Sequence, residues 1–197
     1  LAERLDDRVS IAFAAIMLAI VSEHRGVYWR AESLAGRALA LFRQAGHGWG
    51  LAVASRVVSR SELYQGRHDQ ARAHAAEALR ESRRLGDRWA IGLSLFVVGL
   101  AARHQGNLRE AQVLLEQSVA TFREIGERQD LARPLQSLGC VVRDLGDAAR
   151  GESLLREALA LSRDIGDRGI IAASFVGLAG LACRSRRFAR VSRLLGA

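Results

Sequence analysis

Between Leu108 and Ile125 the main apolar positions are 108, 111, 114, 115, 119, 122 and 125, with mostly polar residues between them. Steps of three and four place these side chains on one face, so the segment is predicted to be an amphipathic helix. Similar segments recur along the chain, separated by glycines at 26, 46, 66, 86, 106, 126, 146 and 166; Arg186 breaks the series. A helix commonly ends in a left-handed residue, a conformation glycine adopts without steric cost. The next residue is often acidic or an amide (Asp87, Asn107, Asp147, Asp167) and can accept from the free amides of the following helix. The spacing therefore predicts antiparallel helix pairs. First helices are expected near 8–25, 49–65, 88–105, 128–145 and 168–184. Second helices are expected near 28–45, 68–85, 108–125 and 148–165, with a short last one from 187. The most apolar run, 9–21, is too short for the ~20 residues of a membrane span and reads as a buried helix.

The full period is forty residues. "RRLGDRWAIG" at 83–92 returns as "REIGERQDLA" and "RDIGDRGIIA", and has earlier relatives in "RQAGHGWGLA" and "ERLDDRVSIA". A fixed period of this size marks a repeat array. Small residues recur in register: Ala19, Ser59, Gly99, Gly139 and Ala179 in first helices, and Ala31, Ala71, Ala111 and Gly151 in second helices. Seven residues further on stand Ala38, Ala78, Ser118 and Ala158. Such columns let helices approach closely.

These columns resemble the tetratricopeptide repeat, in a variety longer than the usual ~34 residues and without its terminal proline. The resemblance covers essentially the whole chain. It implies an all-α, right-handed superhelical solenoid of about five helix pairs, forming a single repeat domain over 1–197. "LAERL" at the start matches the end of a second helix, and there is no initiator methionine. The chain is therefore expected to be a piece of a larger multidomain protein.

Composition narrows the chemistry. The chain has 197 residues, no lysine and a net charge of +8, and its arginines are scattered among acidic residues. Aromatic residues make up 6% and are not interleaved with a basic run, which argues against nucleic-acid recognition by stacking. Cys140 and Cys183 are too few for a disulfide framework or a zinc site, which fits a reduced, cytoplasmic protein. They fall in adjacent repeats and are expected to approach each other as thiols. The five histidines lack metal-ligand spacing, and "GHGWG" at 46–50 lacks the Gly-Lys-Ser/Thr ending of a phosphate loop. No catalytic residue, metal or cofactor is expected, and the chain is not read as an enzyme.

Resemblance to tetratricopeptide arrays implies that a ligand lies along the inner face of the first helices. The candidate groove residues are Arg56, Arg60, Tyr64, Phe96, Leu100, Arg103, His104, Arg133, Gln136, Arg143, Asp144 and Arg184. Arginine forks suit carboxylates, so the expected partner is a peptide or protein segment with an acidic and a hydrophobic part. The tail "RRFARVSRLLGA" resembles the repeats of large bacterial LuxR-type, ATP-dependent transcription regulators. That resemblance implies a sensing module that also contacts the parent protein's other domains. A free-standing adaptor is the alternative, and direct nucleic-acid binding ranks last. No membrane association is expected. The apolar run near the start predicts pairing of two copies through the N-terminal helix pair.

Overall fold

The hinge at Gly86 shows how the repeat is built. Its backbone is left-handed (φ 67°), and the Asp87 amide donates back to the Ser82 carbonyl at 3.2 Å. The Asp87 carboxylate accepts from the Ala90 amide at 3.0 Å and starts the next helix. One helix is closed and another opened within two residues. Asp147 and Asp167 cap their helices in the same way, and at the degenerate hinge the His47 ring nitrogen Nδ1 does so for Gly50. Asn107 makes no side-chain cap, contrary to the sequence expectation.

A computed structural model describes residues 2–184, with side chains from 7 to 181. Among them are nine helices and no strand: α1 (Ala2–His24), α2 (Tyr28–Ala45), α3 (Gly48–Tyr64), α4 (His68–Leu85), α5 (Arg88–His104), α6 (Leu108–Glu124), α7 (Ala132–Asp144), α8 (Ala148–Ile165) and α9 (Arg168–Arg184). The expected last helix from 187 lies outside the described residues. Two boundaries differ from the sequence reading. Helix α1 begins at Ala2 rather than near 8, because the hinge glycine is replaced by Asp6 and the helix runs on. Helix α7 begins at Ala132 rather than 128. At that hinge Glu127 stands in place of aspartate and bonds the Gln129 amide two residues on, so no cap forms there.

The chain divides into two compact units, Leu1–Gln105 and Gly106–Ala197. In the first, Ile16, Phe42 and Val57 are fully buried in one cluster shared by α1, α2 and α3. In the second, Leu115, Phe122, Leu135 and Leu155 are fully buried. The small columns sit where the helices of a pair cross. Ser59 Oγ donates to the Ala71 carbonyl at 2.5 Å between α3 and α4. Between α7 and α8, a Cβ on Gly139 would meet Leu155 at 2.8 Å and the Gly151 carbonyl at 3.2 Å.

Residues 9–21 are not wholly buried as expected. Ala12, Ile16 and Ala19 are, but Ile11, Met17, Leu18 and Val21 are about half exposed, because among the described residues no helix covers that side of α1.

Candidate functional site

The first helices of the inner pairs are nearly enclosed. On α3, from Ala52 to Leu63, only Arg56 and Arg60 escape burial. On α5, from Gly92 to Ala102, only Leu100 does. On α7, from Ala132 to Val142, only Arg133 and Gln136 do. These five open residues are among the candidates that the family resemblance named. The candidate Phe96, by contrast, is 7% exposed and packs as a core residue.

In the first unit that edge carries both charge and rings. The Arg60 guanidinium makes a two-pronged bond to Glu23 of α1, and both side chains are largely buried. Arg60 is thereby committed to holding α3 on α1. Tyr64, 59% exposed, stacks on Tyr28 with ring centroids 4.4 Å apart. Forty residues later His104 stacks on His68 at 5.0 Å. Each pair joins the end of a first helix to the start of a second helix. Burial holds the His104 ring below its ordinary pKa, and the nearby His68 and Arg103 charges push the same way. His68 Nδ1 is buried without a hydrogen-bond partner among the described residues. Arg103 is partly accessible and has no carboxylate partner among the described residues, which leaves its fork available to a ligand.

In the second unit the named residues are mostly engaged. Arg133 pairs with Asp167 at 3.1 Å. Burial works to raise the Asp167 carboxyl, but the Ile170 amide and Arg133 outweigh it and hold the group below its ordinary value. Gln136 donates to the Ala173 carbonyl at 3.4 Å, and Arg143 to Asp144 and to the Gly177 carbonyl at 3.1 Å. Arginine here ties one repeat to the next. Cys140 is buried; the side chains of Cys183 and Arg184 lie outside the described residues.

Several residues that shape this edge were not singled out from the sequence: Glu23, Tyr28 and His68, and Glu62, which bonds His74 at 2.9 Å. The forty-residue recurrence of the two stacked pairs was a legible signal. Partners 34 to 37 residues apart form a further set: Arg43–Glu77 and Arg123–Glu157 are the same bond in two repeats. Among the described residues no three histidine, cysteine or acidic side chains gather to hold a metal, and no helix is long and apolar enough to cross a membrane.

Comparison with known proteins agrees with this architecture. No curated protein matches the chain. A crystal structure of BtubC (BKLC) from P. vanneervenii superposes with a TM-score of 0.69 at 15% identity, covering 98% of this chain and 88% of the other. Rap protein complexed with competence and sporulation factor gives 0.77 at 16% identity, covering 95% and 55%. A STAND (signal transduction ATPase with numerous domains) protein with a tetratricopeptide repeat sensor, from Pyrococcus horikoshii, gives 0.70 at 18% identity, covering 93% and 28%. The chain thus spans about half of the Rap chain and under a third of the STAND chain. At these identities the likeness is one of fold. The family description "Tetratricopeptide repeat" matches residues 51–124 and 90–164. Those matches take in more than half of the sequence, and the chain belongs to the tetratricopeptide repeat family.

Proposed function

We propose that this chain is a binding module without catalytic activity that receives a peptide or protein segment along the open edges of its first helices. The observation that carries the reading is the accessibility pattern. The middle stretches of α3 and α5 are nearly enclosed, and the residues open near their C-terminal ends include Tyr64, Leu100, Arg103 and His104. An apolar side chain, two ring edges and an arginine fork form a surface for a segment with one hydrophobic and one acidic residue. Arg60, Arg133 and Arg143 contribute less to this surface, since each is held by an internal partner.

We further propose that the module serves a cytoplasmic bacterial signalling or transcription regulator, where ligand capture reaches the other domains of a longer chain. The Rap complex and the STAND sensor support that context by fold. A free-standing adaptor is the alternative reading.

The test is selection of binders from displayed random peptides, followed by fluorescence anisotropy with a selected peptide. Leu100→Ala and Arg103→Ala are each expected to weaken binding about tenfold, the size of one well-placed contact. Arg156→Ala, on the exposed side of α8, serves as control, and circular dichroism should be unchanged in all three. Equal affinity across the variants would remove the proposal.

A further inference from the structure

The two stacked ring pairs hold the same position in consecutive repeats but differ in chemistry. Tyr64 lies on Tyr28 with centroids 4.4 Å apart and planes 15° apart; forty residues later His104 lies on His68 at 5.0 Å and 13°. Both partners change together, and the stack is kept. Tyrosine supplies the stacking alone, since a phenol stays neutral up to about pH 10. Histidine adds a change of charge close to neutrality.

The surroundings of the two pairs differ as well. Beside the tyrosines, the Arg60 guanidinium is bonded to Glu23. Beside the histidines, Arg103 has no carboxylate partner among the described residues, and His68 Nδ1 is buried without a hydrogen bond. The other charged groups on the helices packed there are turned to partners of their own. On α4, Asp69 accepts from Gln105 at 2.7 Å, and Arg72 donates to the same Gln105 at 2.9 Å. Arg67, just before α4, is paired with Glu32, and Glu62 on α3 is bonded to His74. Burial against its neighbours, and then the His68 and Arg103 charges, hold the His104 ring below its ordinary pKa, while the residue stays open to solvent. Cationic side chains thus gather at the end of α5, and the carboxylates near them are engaged elsewhere.

A ligand carboxylate on the Arg103 fork would supply the negative charge that this end of α5 lacks. An opposite charge a few ångströms away favours the imidazolium over the neutral ring. We propose that Arg103, His104 and His68 form a proton-coupled carboxylate subsite, in which the histidine pair takes up a proton as an acidic residue of the ligand docks. The inference rests on the ligand edge proposed above and adds its regulation. The proton passes from water to a ring nitrogen, and the pair takes one rather than two, because two stacked imidazolium rings would repel each other. Without ligand the pair stays neutral until the pH falls well below the ordinary histidine value of about 6.5. With ligand its titration moves upward. Between those two values affinity rises as pH falls, by at most about tenfold per pH unit for one proton.

Fluorescence anisotropy of a peptide selected from the displayed library, at about pH 8 and about pH 6, provides the test. Binding should be about three- to tenfold tighter at the lower pH. The same peptide with its acidic residue changed to the amide should lose that difference. The double variant His68→Tyr/His104→Tyr copies the ring pair of the preceding repeat. It should keep its helix content and bind equally at both pH values. It retains His74, which also titrates near neutrality, so the lost response belongs to the stacked pair. His104→Gln gives the same readout without a new ring. In proton NMR of the parent chain, the His104 midpoint should rise on saturation with the peptide. Equal affinity of the parent at both pH values, or a pH response that survives in both histidine variants, would overturn the proposal and leave the peptide-binding reading standing. A chain that binds no displayed peptide at either pH would remove both.

Discussion

Single side chains in the first unit set opposing responses to pH. The His74 ring bonds the buried Glu62 carboxylate; that bond raises its pKa, with burial opposing. A histidine held above its ordinary value contributes stability that is full below that value and fades as pH rises through the raised one. His104 behaves oppositely: burial, His68 and Arg103 lower it, so its contribution is full above the ordinary value and fades on acidification. Proton NMR titration should find His74 with a midpoint above, and His104 below, that of an unperturbed histidine. Glu62→Gln should return His74 towards the ordinary value and flatten the fall in Tm from neutral to mildly alkaline pH. Unmoved midpoints would remove this account. The Glu62–His74 pairing was hidden in the sequence, because partners twelve residues apart on different helices are brought together only by packing.

At the scale of the helix, the glycines divide by role. Gly139 lies at a crossing where a Cβ would reach Leu155 at 2.8 Å. Gly139→Val should therefore overpack α7 against α8 and cost about 1–3 kcal/mol in urea unfolding. Gly36 sits within α2 with open space around it. Gly36→Ala should stabilise by about 0.5–1 kcal/mol, since alanine loses less chain entropy in a helix. A Gly139→Val variant as stable as the parent or more so would contradict the close contact at this crossing. This level was the most legible in the sequence. Hinge glycines and small columns recur every forty residues, and the physics they report, a left-handed turn or a close crossing, is local. The boundaries that were misplaced, at α1 and α7, are those where the hinge residues themselves had changed, to Asp6 and Glu127.

For the molecule, the period identified the family fold, and the family resemblance named residues of which Arg56, Arg60, Leu100, Arg133 and Gln136 are accessible. The period could not say which of these arginines are committed to neighbours. Arg60 reaches Glu23 and Arg133 reaches Asp167, and such bonds depend on what the adjacent repeat places alongside. It likewise read the apolar run of α1 as buried, because a hydrophobic pattern marks a face that can pack without saying whether anything covers it. The proposed ligand surface is the edge of rings with Leu100 and Arg103.

The most direct test of the central claim is hydrogen exchange of the chain with and without a peptide selected from the displayed library. The account predicts slowed exchange in the C-terminal halves of α3 and α5, around Tyr64, Leu100 and His104, with α2 and α4 unchanged. Protection confined to α2 and α4, or none at saturating peptide, would contradict it.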